Sequence, residues 1–161
     1  MNSKYEISTK ENREFLKASC EELLNFGHRF PSPNGGSYYL GDDGTPWKDR
    51  NRETWITCRM AHVYSLGLML GHEGSEELAD AALKGLKGEL HDEKNGGWYA
   101  GVTPEGDIVP NKQCYAHAFV ILAASSALTA GRPGAKELLE EALAVYDRHF
   151  WNEEEGLACG T

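Results

Sequence analysis

Hydrophobic positions recur along this chain with a helical period, in five stretches separated by glycine-rich breaks. The first begins near Ser8, where Ser8 and Glu11 have the spacing of a capping box, and ends near Gly27. The second, "ETWITCRMAHVYSLGL", covers about 53 to 70 and is stopped by "GHEG". The third starts after Ser75 and ends near Leu90, the fourth covers about 113 to 130 up to "GRPG", and the fifth covers about 135 to 150. The odd-numbered stretches are amphipathic and heavily charged; the third alone carries Glu76, Glu77, Asp80, Lys84, Lys87 and Glu89. The second keeps one charge beyond its first turn, Arg59, and the fourth, "QCYAHAFVILAASSALTA", has none. A helix with one apolar stripe lies on an outside, and a helix apolar all round is enclosed. The pattern therefore predicts the order outer, inner, outer, inner, outer.

An offset of 60 superimposes these stretches. Gly71 falls on Gly131, Gly74 on Gly134, Leu78 on Leu138, Leu83 on Leu143, Ser65 on Ser125 and Trp55 on Tyr115. Phe30, Leu90 and Phe150 align, as do Gly36, Gly96 and Gly156. After the first and third helices come aromatic segments, "GGSYYLGDDG" and "GGWYAGVTPEG", that read as short β-hairpins turning at Asp43-Gly44 and Glu105-Gly106. A third such hairpin would begin at "EGLACGT". The repeat is one unit of outer helix, hairpin and inner helix, and alternating outer and buried helices suggest a toroid. Six such units would take about 360 residues, so this chain reads as the N-terminal part, 1-161, of a single longer α/α-barrel domain. The alternative is a self-sufficient domain of five helices, for which a monodisperse, cooperatively melting monomer would speak.

Composition narrows the function classes. The formal net charge of -9 argues against nucleic acid, whose phosphates need a basic surface. No apolar run is a convincing membrane span, and "MNSKYEISTKENREFL" has no apolar core of a signal peptide, so the expected setting is cytoplasmic. Cys20, Cys58, Cys114 and Cys159 form no C-x-x-C pair and read as reduced thiols. No zinc spacing, phosphate-binding loop or nucleophile-elbow motif occurs, so no metal or cofactor is expected.

Candidate chemistry lies on the second helix. Trp55, Arg59 and His62 are spaced four and three apart and share one face. A lone arginine in an enclosed helix is costly unless it is paired or faces a polar cavity. A lone histidine such as His62 is more often a hydrogen-bonded core residue than a catalyst. His117 lies two residues after Tyr115 and so points away from it. His28, His72, His91 and His149 fall at helix ends or loops, where surface or capping roles are expected. Lys48, Arg50 and Arg52 form a basic loop that Asp49 and Glu53 balance as a solvated segment.

"WITCRMAHVYSLG", "GGWYAG" and "QCYAHAFVILAASSA" resemble the N-acylglucosamine 2-epimerase superfamily, and within it the bacterial aldose–ketose isomerases acting on mannose and on sulfoquinovose. The resemblance covers about Leu16 to Thr161 and implies an all-α (α/α)6 barrel, of which this chain would be a part. It implies a sugar pocket lined by Trp55, Arg59 and Tyr115; by their helix positions His62 and His117 are candidates for groups behind that lining, with His117 alternatively reaching a neighbouring helix. Tryptophan suits the C–H face of a sugar, arginine gives a permanent cationic fork, and tyrosine can serve a hydroxyl. The implied reaction moves a proton between C2 and C1 through an enediol, without metal or organic cofactor. The family's catalytic histidines come from later inner helices, beyond Thr161, so no catalytic residue is expected within this chain and it should be inactive alone. Competing expectations are a 2-epimerase of the same superfamily and a non-catalytic helical-repeat binding protein. A glycoside hydrolase would need a carboxylate pair, and acidic residues are nearly absent from the inner helices.

Overall fold

The computed structural model describes residues 3–160. Thr9 caps the first helix. α1 (Lys10–Gly27) starts where Thr9 Oγ1 accepts the Asn12 N–H at 3.0 Å, which satisfies one of the first turn's orphan donors. Ser8 lies outside the helix at φ +76°, and its carbonyl accepts from the Arg13 guanidinium instead. The cap therefore falls at Thr9, one residue after the expected Ser8, and the Asn12 side chain donates to Lys4 O, so the reciprocal half of the expected Ser8–Glu11 box is not formed.

The hairpin segments supply β1 (Tyr39–Leu40), β2 (Pro46–Trp47), β4 (Gly101–Val102) and β5 (Ile108–Val109), and β3 (Arg52–Glu53) precedes the second helix. The other helices are α2 (Thr54–Met69), α3 (Ser75–Leu86), α4 (Cys114–Thr129) and α5 (Ala135–His149). α3 stops short of the expected Leu90, because the chain turns at Gly88 and the Leu90 N–H closes back on Gly85 O at 3.2 Å. α2 lies against α3 and α4, and α4 lies against α5. The two apolar helices thus sit side by side on the inside, as their composition predicts. Both hairpins turn where expected, with Gly44 at φ +73° and Gly106 at φ +96°. β3 adds to the second hairpin, giving the antiparallel order β3–β4–β5 and tying the two repeats together.

Each outer helix is followed by the same closed turn. The Tyr38 N–H donates to Phe30 O at 2.9 Å, Tyr99 N–H to Leu90 O at 2.9 Å, and Cys159 N–H to Phe150 O at 2.7 Å. The bridges Pro31–Ser37 and His91–Trp98 belong to the first two turns, and β6 (Trp151–Asn152) with β7 (Leu157–Ala158) belongs to the third. The inner helix of each unit then fastens to its turn. Thr57 Oγ1 accepts the Ser37 N–H at 3.0 Å, and one offset further on His117 Nε2 accepts the Trp98 N–H at 3.1 Å. Close approach of glycines completes the join. A Cβ on Gly85 would lie 2.3 Å from Gly36 N, so α3 meets the first turn only because Gly85 has no side chain.

The linkers between inner and outer helices also repeat a task. Arg132 makes 2.8 Å ion pairs with Glu76 and Asp80 on α3. At the matching position His72 is buried, with Nδ1 2.8 Å from Ser75 Oγ and Nε2 3.3 Å from Asn25 on α1. His72 therefore docks a linker and is not a surface residue. Burial is less regular than sequence. Leu83 is 1% exposed and Ser65 is buried, whereas Leu143 is 45% exposed and Ser125 is exposed. α2 has neighbours on both sides, while α4 has an inner neighbour on one side only, so equal residues meet unequal surroundings.

His117 is fully buried; its Nε2 accepts from Trp98, so Nδ1 carries the proton and donates to Gln113 O at 2.8 Å. Burial holds its pKa below the ordinary 6.5. The unfolded chain then binds the extra proton first, so the stability from the neutral ring is present above pH 6.5 and is lost as pH falls through the folded pKa. His117→Ala is expected to cost about 2–4 kcal/mol by opening a cavity and stranding the Trp98 N–H. Urea titrations between pH 5 and 8 should show the variant less stable, with a shallower acid-side loss than the wild type.

Candidate functional site

The first turns of α2 and α4 lie beside the two hairpins, and their side chains gather there. Trp55 and Tyr115 occupy matching positions of the two inner helices, with ring centres 6.1 Å apart. Arg59, one turn below Trp55, places its guanidinium carbon 4.7 Å from the Trp55 ring centre and 5.0 Å from that of Phe119. Its Nη2 lies 3.4 Å from the Tyr115 hydroxyl. Trp55, Arg59 and Tyr115 are thus brought together. Arg59 is exposed, however, and needs no buried counter-charge. Two aromatic faces and water hold its charge, since α2 keeps one face open at this point.

The second side of the site is Glu53, which composition alone assigned to balancing the basic loop. Its Oε2 accepts the Tyr39 hydroxyl and, at 2.6 Å, the Trp55 indole N–H. Tyr39 also packs edge-on to Trp55, with ring centres 6.3 Å apart. Burial, then the bond to Glu53 and its charge, raise the Tyr39 phenol pKa, so it stays a neutral donor at physiological pH. Glu53 is fixed from behind by the β3–β4 pairing, where it faces Gly101. A Cβ on Gly101 would sit 2.7 Å from Arg52 O, so this approach also requires glycine.

The basic loop is solvated only in part: Lys48, Asp49 and Arg50 are exposed, whereas Arg52 is not. Arg52 is buried and pairs with Glu89 at 2.6 Å, while Arg50 stacks over Trp47 at 4.3 Å. His62 sits deeper on α2, with Nδ1 2.6 Å from Ser126 Oγ on α4; Ser126 also donates to Leu122 O, so His62 supplies the proton of that contact. It joins the inner helices behind the Arg59 turn. His117 does not belong to the site. It sits against Trp98 and Phe150, on the side of α4 away from Tyr115. Its place follows from its donor and acceptor both being used by backbone.

Sequence reasoning missed Glu53, Tyr39 and Phe119. Phe119 was readable, being four residues after Tyr115 on the same helix face. Tyr39 belongs to the aromatic hairpin "GGSYYLG", but nothing local says which tyrosine turns inward. Glu53 carries no local signal, because its partners lie on another hairpin and on the next helical turn. Among the described residues, no group of three His, Cys, Asp or Glu side chains is placed to hold a metal ion. No helix among them is long and apolar enough to cross a membrane, and the four cysteines are free thiols.

The profile of the N-acylglucosamine 2-epimerase (GlcNAc 2-epimerase) family matches residues 35–161. The chain belongs to this family. It is 41% identical over 146 residues to a D-mannose isomerase of Thermobifida fusca, an alignment covering 90% of this chain and 36% of that protein. The family architecture is equally clear in space. The crystal structure of a D-mannose isomerase superposes with a TM-score of 0.82 at 24% identity, over 92% of this chain and 40% of that one. The cellobiose 2-epimerase of Bacillus thermoamylovorans B4167 gives 0.78 at 24% identity, over 92% and 40% of the two chains. The chain thus spans about 36% of the length of its mannose isomerase relative, and its five helices are part of an (α/α)6 barrel.

Because Arg59 is exposed and has no acidic partner among the described residues, its replacement should barely touch stability. Arg59→Met is expected to shift unfolding free energy by no more than about 1 kcal/mol, the size of an exposed cation–π contact. Urea denaturation followed by circular dichroism checks this, and a larger loss would make Arg59 a structural residue.

Proposed function

We propose that this chain is the N-terminal part of a single-domain sugar isomerase of the α/α-barrel type, carrying one wall of its substrate pocket. The observation that carries the reading is the Trp55–Arg59–Tyr115 cluster at the open ends of the inner helices, in a chain 41% identical to a D-mannose isomerase. Trp55 offers an apolar ring to the C–H face of the sugar, and Arg59 and Tyr115 serve its oxygens. The reaction interconverts aldose and ketose forms of a mannose- or sulfoquinovose-like sugar. A base removes the C2 proton while an acid protonates the carbonyl oxygen at C1, and the enediol then takes a proton at C1 as its O2 hydroxyl gives one up to become the ketose carbonyl. Such proton transfer needs no metal or organic cofactor.

The acid and base are assigned to histidines on later inner helices, beyond Thr161. His117 cannot serve, because both its nitrogens are bonded to backbone in the core. The setting is cytoplasmic, and the partner is a small sugar, not nucleic acid or membrane. A second reading is a 2-epimerase, favoured by the likeness of the fold to a cellobiose 2-epimerase, since removal of a proton beside the carbonyl starts both reactions.

The 161-residue chain is expected to form no D-fructose from D-mannose above a buffer control, and turnover by it would overturn the assignment of the acid and base. A protein continuing through the remaining units is expected to isomerise D-mannose, and Arg59→Met in it should lower kcat/KM about 10-fold or more. Formation of a 2-epimer without ketose would select the epimerase.

A further inference from the structure

Glu53 is the N-cap residue of α2, yet its side chain makes no capping bond. Carboxylates at this position ordinarily turn back to the first-turn N–H groups. Here the side chain is drawn outward by two donors, Tyr39 and Trp55, and both use the same oxygen, Oε2. Among the described residues Oε1 takes no hydrogen bond. No buried side-chain polar atom among them lacks a partner, so Oε1 is reached by solvent. Glu53 lines a cavity of about 300 Å³ together with Tyr39, Arg50 and Asn51.

The geometry points to Glu53 as a substrate-contacting residue, with Oε2 anchored to the protein and Oε1 accepting a hydroxyl of a neutral sugar stacked on Trp55. This rests on the sugar reading above and deepens it. A carboxylate has room for two or more hydrogen bonds on each oxygen, so anchoring one leaves the other fully available. The acceptor is held before the ligand arrives. The backbone of Glu53 is fixed against Gly101, and the carboxylate is clamped by a phenol and an indole. Preorganisation of this kind removes the ordering cost from binding. A charged acceptor also discriminates: it welcomes a hydroxyl donor and repels a sugar carboxylate or sulfonate in the same place.

Glu53→Gln separates the two oxygens. The amide oxygen can still take the Tyr39 and Trp55 donors, while the outward atom changes from an acceptor to an NH2 donor. The chain carries four tryptophans, so 5-fluorotryptophan labelling gives four 19F signals, with Trp55 assigned by Trp55→Phe and buried Trp98 as an internal reference. D-mannose and D-glucuronate are titrated to about 0.5 M, which reads even millimolar dissociation constants. The wild-type Trp55 signal is expected to respond to D-mannose more readily than to D-glucuronate. In Glu53→Gln the D-mannose constant should weaken about 5-fold or more, the preference should move toward D-glucuronate, and the Trp98 signal should stay in place. Equal D-mannose affinity and unchanged preference in the variant would overturn the role of Glu53 and leave the sugar reading standing. A wild-type signal that ignores both sugars would overturn that reading and this role with it. Should Glu53→Gln shift the Trp98 signal as well, Tyr39→Phe with Glu53 intact supplies the comparison: it removes one anchor and should keep the preference for D-mannose.

Discussion

The structure depends on one recurring bond, in which a side chain of each inner helix accepts the backbone N–H of the turn before its hairpin. Thr57 does this for Ser37 and His117 for Trp98. A turn carried into the core brings backbone donors that water cannot reach, and each must find an acceptor. The helical segments cannot supply one from their own backbone, which is already used. A side chain at a fixed helical position can, and the offset of 60 places it at the same point of both units. The hairpins, and with them the mouth of the site, stand on these turns. Residues of different chemistry meet the demand because the demand is for an acceptor of suitable reach, not for a particular side chain.

Repetition of sequence does not produce repetition of environment. α2 lies against α1, α3 and α4, while α4 lies against α2 and α5. Leu83 and Leu143 are equivalent by offset, but one is enclosed and the other faces outward. The apolar faces left open include a groove of about 540 Å³ between α1 and α2, bordered by Leu23, Phe26, Met60, Val63, Leu66 and Leu70. In a solenoid-like array each unit is stabilised by its neighbours, so residues at the ends carry the composition of an interface. The energetic weight of this chain therefore sits around α2, α3 and the second turn, where Trp98 is fully enclosed and its indole N–H donates to Leu86 O at 2.7 Å.

Much of this was legible in the primary structure. Periodicity marked five helices, charge distribution separated outer from inner, and the Asp43-Gly44 and Glu105-Gly106 turn signals located both hairpins. These features are local or repeat at fixed spacing. What was not legible depends on partners distant in the chain. Ser8 carries the spacing of a cap, and only the observed backbone, with Ser8 at positive φ and Thr9 at the N-cap, shows that the cap falls one residue later. Arg52 looks like one more loop cation until Glu89 comes to it. Glu53 looks like its counter-ion until Tyr39 and Trp55 claim it.

The same reasoning explains why an arginine is tolerated in so apolar a helix. Placed one turn deeper on α2, a guanidinium would meet the packed contact with α4 and the desolvation cost of a buried charge. At Arg59 it remains exposed, and the flat faces of Trp55 and Phe119 cover its sides without removing its edge from solvent. Aromatic rings can do this because their faces are electron-rich and weakly hydrated. The N–H edge is then left open, and among the described residues it meets the Tyr115 hydroxyl. Opposite it, Glu53 keeps one oxygen bound and one open. A cationic donor and an anionic acceptor thus both contact Trp55, one over its ring and one at its indole N–H. Among the described residues they form no ion pair with each other, and each is held by aromatic partners.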